Sequence, residues 1–186
     1  MDERLVKDYV EKAARSLDGF DTATLERISA VLAECLKRGG KVLVCGNGGS
    51  AADASHLAGE LVGRFRRERR ALPVVALTAD SAVLTALSND YGYETVFSRQ
   101  IEALGVCGDV LVAISTSGAS SNVIAAAEEA GRRGMVVVAF TASGRQAPWS
   151  DIHWQAPSPV TSHAQEAMLV AFHALCESLE NALALE

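Results

Sequence analysis

A doubly wound α/β domain with a five-stranded parallel sheet is the fold class this sequence predicts. Three observations lead there: short apolar runs without polar alternation, helix-periodic segments between them, and glycine- or serine-rich turns where a run gives way to a helix. The runs fall at 41–45, 73–77, 109–114 and 135–140, with a weaker one at 151–155. A strand that is apolar on both faces must be covered on both. That is the environment of a parallel sheet, whose crossover helices lie on either side.

The elements follow in order. Val6, Tyr9, Val10, Ala13 and Leu17 recur at helical spacing, and so do Leu25, Ile28, Leu32, Cys35 and Leu36, so the first forty residues read as two amphipathic helices. Asp21 or Thr22 can cap the second, and Lys37-Arg38-Gly39-Gly40 supplies the cations and glycines of a helix stop. Residues 141–160 hold three of the 4 prolines and read as loops around a short edge strand. Residues 161–183 place Ala164, Met168, Ala171, Phe172, Leu175 and Leu179 on one face of a long closing helix. No repeat, low-complexity segment or linker divides the chain. It is expected to be one domain over 1–186, with helices at 1–40 available for oligomerisation and an α/β core with its closing helix at 41–186.

Composition narrows the function. At 186 residues, 49% hydrophobic and 22% charged, the chain matches a globular domain with a substantial core. A formal charge of −6 argues against nucleic acid or anionic membrane as a partner, since both require a cationic surface. The basic run Arg64-Phe65-Arg66-Arg67-Glu68-Arg69-Arg70 is expected to be mostly a solvated helix end. Cys35, Cys45, Cys107 and Cys176 form no C-x-x-C unit and are expected to be reduced core residues, as in a cytoplasmic protein. Met1-Asp2-Glu3-Arg4 opens acidic, unlike a signal peptide, and no apolar run is long enough to span a bilayer.

Two turns suit an anion. The run at 41–45 leads into Gly46-Asn47-Gly48-Gly49-Ser50 before a helix from about Ala51. Glycines there let backbone N–H groups approach a ligand, and a helix N-terminus presents free donors and partial positive charge. Asn47 and Ser50 can add side-chain bonds, although such a turn can also be purely structural, and it lacks the P-loop lysine. The run at 109–114 ends in Ser115-Thr116-Ser117-Gly118-Ala119-Ser120, ahead of a helix near Asn122. One hydroxyl there would be a cap. Four of them, at the carboxyl end of a parallel strand, favour a phosphate cradle built from neutral donors.

Four blocks, in order across nearly the whole chain, resemble phosphoheptose isomerases, a family of the sugar-isomerase (SIS) fold. They are residues 46–61 from Gly46-Asn47-Gly48-Gly49-Ser50 to Gly59-Glu60-Leu61, residues 88–100 from Ser88-Asn89-Asp90 to Arg99-Gln100, residues 113–123 around Ser115-Thr116-Ser117, and Gln165-Glu166 with His173 eight residues on. The resemblance implies a five-stranded parallel SIS fold, a homotetramer with active sites at subunit interfaces, and isomerisation of sedoheptulose 7-phosphate. By it, Ser115, Thr116, Ser117 and Ser120 hold the phosphate. Asn47, Gly48, Gly49, Ser50, Arg64, Asn89, Asp90 and Gln165 contact the substrate, so Arg64 is the exception within the basic run. His56, Glu60, Gln165 and His173 match a metal site, usually one zinc per subunit, and Glu60 with His173 match the acid–base pair.

The chemistry is consistent with these residues. Ketose–aldose exchange through an enediol needs a base at carbon and a proton relay at oxygen, which a carboxylate and an imidazole supply near neutral pH. His56 and Glu60 stand at i and i+4 on one helix face, as a pair of metal ligands or as a surface pair. Gln165 and His173 are two turns apart, about 12 Å along a helix, and a neutral Gln is an unusual zinc ligand. The sequence departs from the family at His163, where an arginine is more common, and at Gly59, which weakens a helix interior by about 1 kcal/mol relative to alanine. His153 and Trp154 read as packing residues. Two alternatives remain on this evidence: a non-catalytic SIS protein that binds a replication initiator, or an isomerase or sensor of another sugar phosphate.

Overall fold

The computed structural model describes residues 3–183. Five strands, β1 (Val42–Gly46), β2 (Val74–Ala76), β3 (Val110–Ile114), β4 (Val136–Thr141) and β5 (Ile152–Gln155), form one sheet in the order β2-β1-β3-β4-β5, every pair parallel. Each falls within a residue or so of an apolar run, and β5 is the edge strand expected. The helices are α1 (Glu3–Arg15), α2 (Thr22–Lys37), α3 (Gly49–Val62), α4 (Ser81–Tyr91), α5 (Ser98–Leu104), α6 (Ser121–Arg132) and α7 (Thr161–Leu183), with a short 3-10 turn at Tyr93–Thr95.

The strand pattern explains the two layers. Val42 and Val44 of β1, with Val110, Val112 and Ile114 of β3, join a core shared with α2, α3 and α7. Their neighbours Leu43, Cys45, Leu111 and Ala113 face the opposite way, into a second core under α5 and α6. Alternate residues thus bury on opposite faces, which is why the runs show no polar alternation. The Asp21 carboxylate caps α2 by accepting from the Thr24 amide at 3.0 Å. Trp154, fully buried, packs on Phe20 and Phe140 and donates its indole N–H to the Asp21 carbonyl at 3.1 Å, joining the edge strand to the start of α2. It is a packing residue, as expected.

Two expectations are corrected. The basic run is not a helix end: α3 stops at Val62, and residues 64–70 form an irregular segment in which the Arg69 side chain is buried. Cys35, Cys45 and Cys176 are core residues, but Cys107 is exposed. Helix α1 keeps its amphipathic stripe exposed, with Leu5 at 70%, Val6 at 63% and Val10 at 60%. Tyr9 ties it to the body: the Tyr9 hydroxyl donates to Glu166 at 2.6 Å while the ring meets that of His163 at 4.8 Å. His163, the departure from the family pattern, is buried and bonded through Nδ1 to Glu166 at 2.9 Å, so a packing and hydrogen-bonding role accounts for it. No helix among the described residues is long and apolar enough to cross a membrane.

At the amino edge of the sheet, Asp109 is buried and accepts from the Lys41 ammonium at 2.6 Å and from the amides of Lys41 and Val106, each at 2.9 Å. Burial alone would raise this carboxyl, but the bonds from Lys41 and Val106 outweigh it and hold it below the usual range. A depressed acid contributes stability that is complete above its unfolded value, about 3.9, and is lost as pH falls through the lower folded value. Asp109→Asn is therefore expected to cost about 1–3 kcal/mol at neutral pH. It should also flatten the fall of Tm at acid pH. Superimposable Tm–pH curves for the two proteins would refute this.

Candidate active site

The strand order reverses between β1 and β3: the chain leaves β1 through α3 on one face of the sheet and β3 through α6 on the other. A crevice opens at such a point beyond the carboxyl ends of the strands, and open α/β sheets bind ligands there. The two anion-suited turns flank it. Asn47 and Asn122 join them through a reciprocal amide pair, Asn47 Nδ2 donating to Asn122 Oδ1 at 2.8 Å and Asn122 Nδ2 to Asn47 Oδ1 at 2.9 Å. Tyr93 donates its hydroxyl to the same Asn47 oxygen at 3.0 Å. Asn122, buried in the first turn of α6, and Tyr93 were not singled out in the sequence. The available signal was a carboxamide placed directly after a hydroxyl-rich turn.

Both helices that start at this crevice begin without a side-chain cap. In the serine turn the hydroxyls bond one another instead: Ser115 Oγ donates to Ser120 Oγ at 3.0 Å, lies 3.4 Å from Ser117 Oγ, and Ser117 Oγ accepts from the Ala119 amide at 3.2 Å. Ser115 and Ser50 are buried, Thr116 and Ser120 half-buried, and Ser117 exposed. Gly118 turns the loop at φ +70, and its carbonyl accepts from the Trp149 indole at 3.3 Å.

Helices α3 and α7 lie side by side and run in the same direction. At their leading ends Gln165 presses its carboxamide against Gly49, where the carbon of that group would lie 2.7 Å from any added Cβ. Two turns further on, about 10 Å along the axis, His56 meets His173, their Nε2 atoms 2.9 Å apart and their rings at 61°. Glu60, the next turn of α3, brings Oε1 to 3.6 Å from His56 Nε2. One donor atom from each of His56, Glu60 and His173 lies within 4.8 Å of the others. Phe65 stacks on His173 at 5.4 Å and 23°.

Glu60 is half-buried, so its carboxylate keeps access to solvent and to a ligand. Asp53, one turn before His56, was also passed over in the sequence. Its Oδ2 is buried without a hydrogen-bond partner, and burial pushes its carboxyl up to about 6, with His56 opposing the rise. Arg64, Asn89 and Asp90 are exposed: Arg64 pairs with Glu68 at 3.9 Å, and Asn89 Nδ2 donates to Asp90 at 2.8 Å.

His56, Glu60 and His173 can hold a small divalent cation. Zinc takes imidazole nitrogen and carboxylate oxygen at ~2.0–2.2 Å in tetrahedral geometry, which places ligand atoms about 3.3 Å apart. The two separations from His56, 2.9 and 3.6 Å, lie on either side of that value, and all three donors fall within 4.8 Å of one another. Three donors also leave a tetrahedral position open, as in a reactive rather than a structural site.

Sheet, switch point and paired turns are those of an open α/β domain, and the SIS domain family model matches residues 8–142. A phosphoheptose isomerase of Roseiflexus sp. (strain RS-1) is 51% identical over 158 residues, covering 84% of this chain and 80% of the relative. The phosphoheptose isomerase structure from Neisseria gonorrhoeae superimposes with TM-score 0.88 at 39% identity, over 95% of this chain and 98% of that one. That from Francisella tularensis gives TM-score 0.90 at 34% identity, over 97% and 99%. The chain belongs to the phosphoheptose isomerase family and is an isomerase. The reading as a non-catalytic binder of a replication initiator gives way to this finding.

Proposed function

We propose that the chain interconverts sedoheptulose 7-phosphate and D-glycero-D-manno-heptose 7-phosphate through an enediol. The names of its relatives support the substrate. The observation that carries the residue assignment is the convergence of the Glu60 carboxylate with the imidazoles of His56 and His173, on two helices whose leading ends adjoin the glycine turn. Ser115, Thr116, Ser117 and Ser120 hold the phosphate with backbone amides of the α6 N-terminus. Asn47, Gly48, Gly49 and Ser50 bind the sugar across the crevice.

Glu60 then removes a proton from C1 while His173 protonates the carbonyl oxygen at C2, giving the enediol. Return of the carbon-borne proton to C2, with transfer of the O1 proton to His173, yields the aldehyde at C1 and restores both groups. His56 lies within hydrogen-bond distance of His173, one ring donating and the other accepting, and so orients its partner. His56, Glu60 and His173 would hold a zinc ion, which would polarise the carbonyl when bound; Gln165, expected as a further ligand, lies instead against Gly49 at the leading end of α7.

The assembly proposed is a homotetramer in the cytoplasm, with 1–40 contributing to its interfaces. It is supported by the exposed stripe of α1 and by α4, none of whose residues is buried in the single chain. Arg64, Asn89 and Asp90 lie on exposed surface, where a neighbouring subunit can bring them to a crevice.

Incubating the purified protein with five-, six- and seven-carbon ketose phosphates tests the proposal. A new aldose phosphate is expected from the seven-carbon substrate, with loss of turnover after chelation and recovery with zinc. Turnover of a shorter sugar in preference would replace the substrate, and no turnover of any would overturn the function.

A further inference from the structure

Helix α3 ends two residues after Glu60, and its last carbonyls need partners that the helix cannot provide. Arg69 supplies them. Its Nη2 donates to the Glu60 carbonyl at 2.9 Å, and its Nη1 to the carbonyls of Leu61 at 2.9 Å, Arg70 at 3.0 Å and Gly63 at 3.3 Å. A cation at this end also complements the helix dipole. Arg69 Nε lies 3.4 Å from Glu180 on α7, and the two side chains are only 6% and 2% exposed.

Glu180 has further partners. Its carboxylate accepts from three successive backbone amides, Phe65 at 2.9 Å and Arg66 and Arg67 at 3.0 Å. This fixes the turn that carries Phe65 onto the ring of His173.

A buried ion pair is weak evidence of a role in stability, because desolvation offsets most of the attraction. Arg69 Nε makes no hydrogen bond within it, so the joint rests on the carbonyls that Arg69 meets at the end of α3 and the three amides that Glu180 meets. We propose that Arg69 and Glu180 are positioning residues for isomerisation, holding the end of α3 that bears Glu60 against the part of α7 that bears His173, and seating Phe65 on the His173 ring. The inference rests on the assignment of Glu60 and His173 above.

The test compares wild type with Glu180→Gln and Phe65→Leu, scored per folded chain by far-UV circular dichroism. Glu180→Gln is expected to lower kcat and zinc affinity, the latter read by competition with a chromophoric chelator, by about 10–100-fold each. KM should stay within about twofold, because the phosphate turn lies on another element. Phe65→Leu keeps the pair intact and should lower kcat about three- to tenfold. It decides the question if Glu180→Gln does not fold. Folded Glu180→Gln with wild-type kcat and zinc affinity would reduce the pair to scaffolding, as would an unaffected Phe65→Leu. Glu60→Gln separates the two ideas: if it is inactive while Glu180→Gln is normal, only the positioning role falls, whereas an active Glu60→Gln removes the underlying assignment.

Discussion

Glu60→Gln should yield a folded enzyme whose turnover is lower by about 10²–10⁴-fold, the range of a lost general base. The substitution is nearly isosteric, and the side chain is half-buried on α3, beside the core rather than within it. Leu57, Ala58 and Leu61 carry the packing of that stretch and are untouched. The carboxamide keeps an oxygen near His56 but cannot take a proton from carbon. Circular dichroism and melting checked beside kcat separate chemistry from folding. Near-normal turnover would remove Glu60 from the role of base.

Gly118→Ala should damage the phosphate turn through geometry alone. Gly118 sits at φ +70, where a side chain costs about 1–2 kcal/mol, and a Cβ there would run into the backbone carbonyl of Gln146. That oxygen belongs to main chain and cannot rotate away as a flexible side chain would. The turn must shift, and with it the hydroxyls of Ser115, Ser117 and Ser120, which are aligned by bonds to one another. The expected result is a KM for the sugar phosphate raised about tenfold or more, equivalent to ~1.4 kcal/mol of binding. Zinc affinity should not change, since His56, Glu60 and His173 lie on α3 and α7. An unchanged KM would mean that the turn at 115–120 does not hold the phosphate.

Where the local signal was strong, the elements were legible. Val42–Gly46 and Val110–Ile114 are apolar at every position but Gly46, and only burial on both faces tolerates that. Asp21 was one of two residues suited to cap α2, and it does so because its carboxylate reaches the Thr24 amide. The 64–70 run misled because seven residues with five arginines look like a solvated surface. Nothing local announces that Arg69 turns inward, since its partner Glu180 is 111 positions away. The stripe of α1 was equally clear as a pattern, yet it remains exposed in the single chain, because periodicity reports that a face is apolar and not what covers it.

By itself the sequence determined the alternation of strand and helix, the two donor-rich turns and the identity of the groups able to move a proton, because these depend on neighbours within a few residues. Only the tertiary structure decided that β1 and β3 lie side by side, so that Asn47 and Asn122, 75 positions apart, join their turns. It also brought His56 to His173 across 117 positions and left Gln165 against Gly49. The physical reason is the same in each case: such contacts are set by packing helices onto a shared sheet, and their energy comes from buried surface spread along the whole chain.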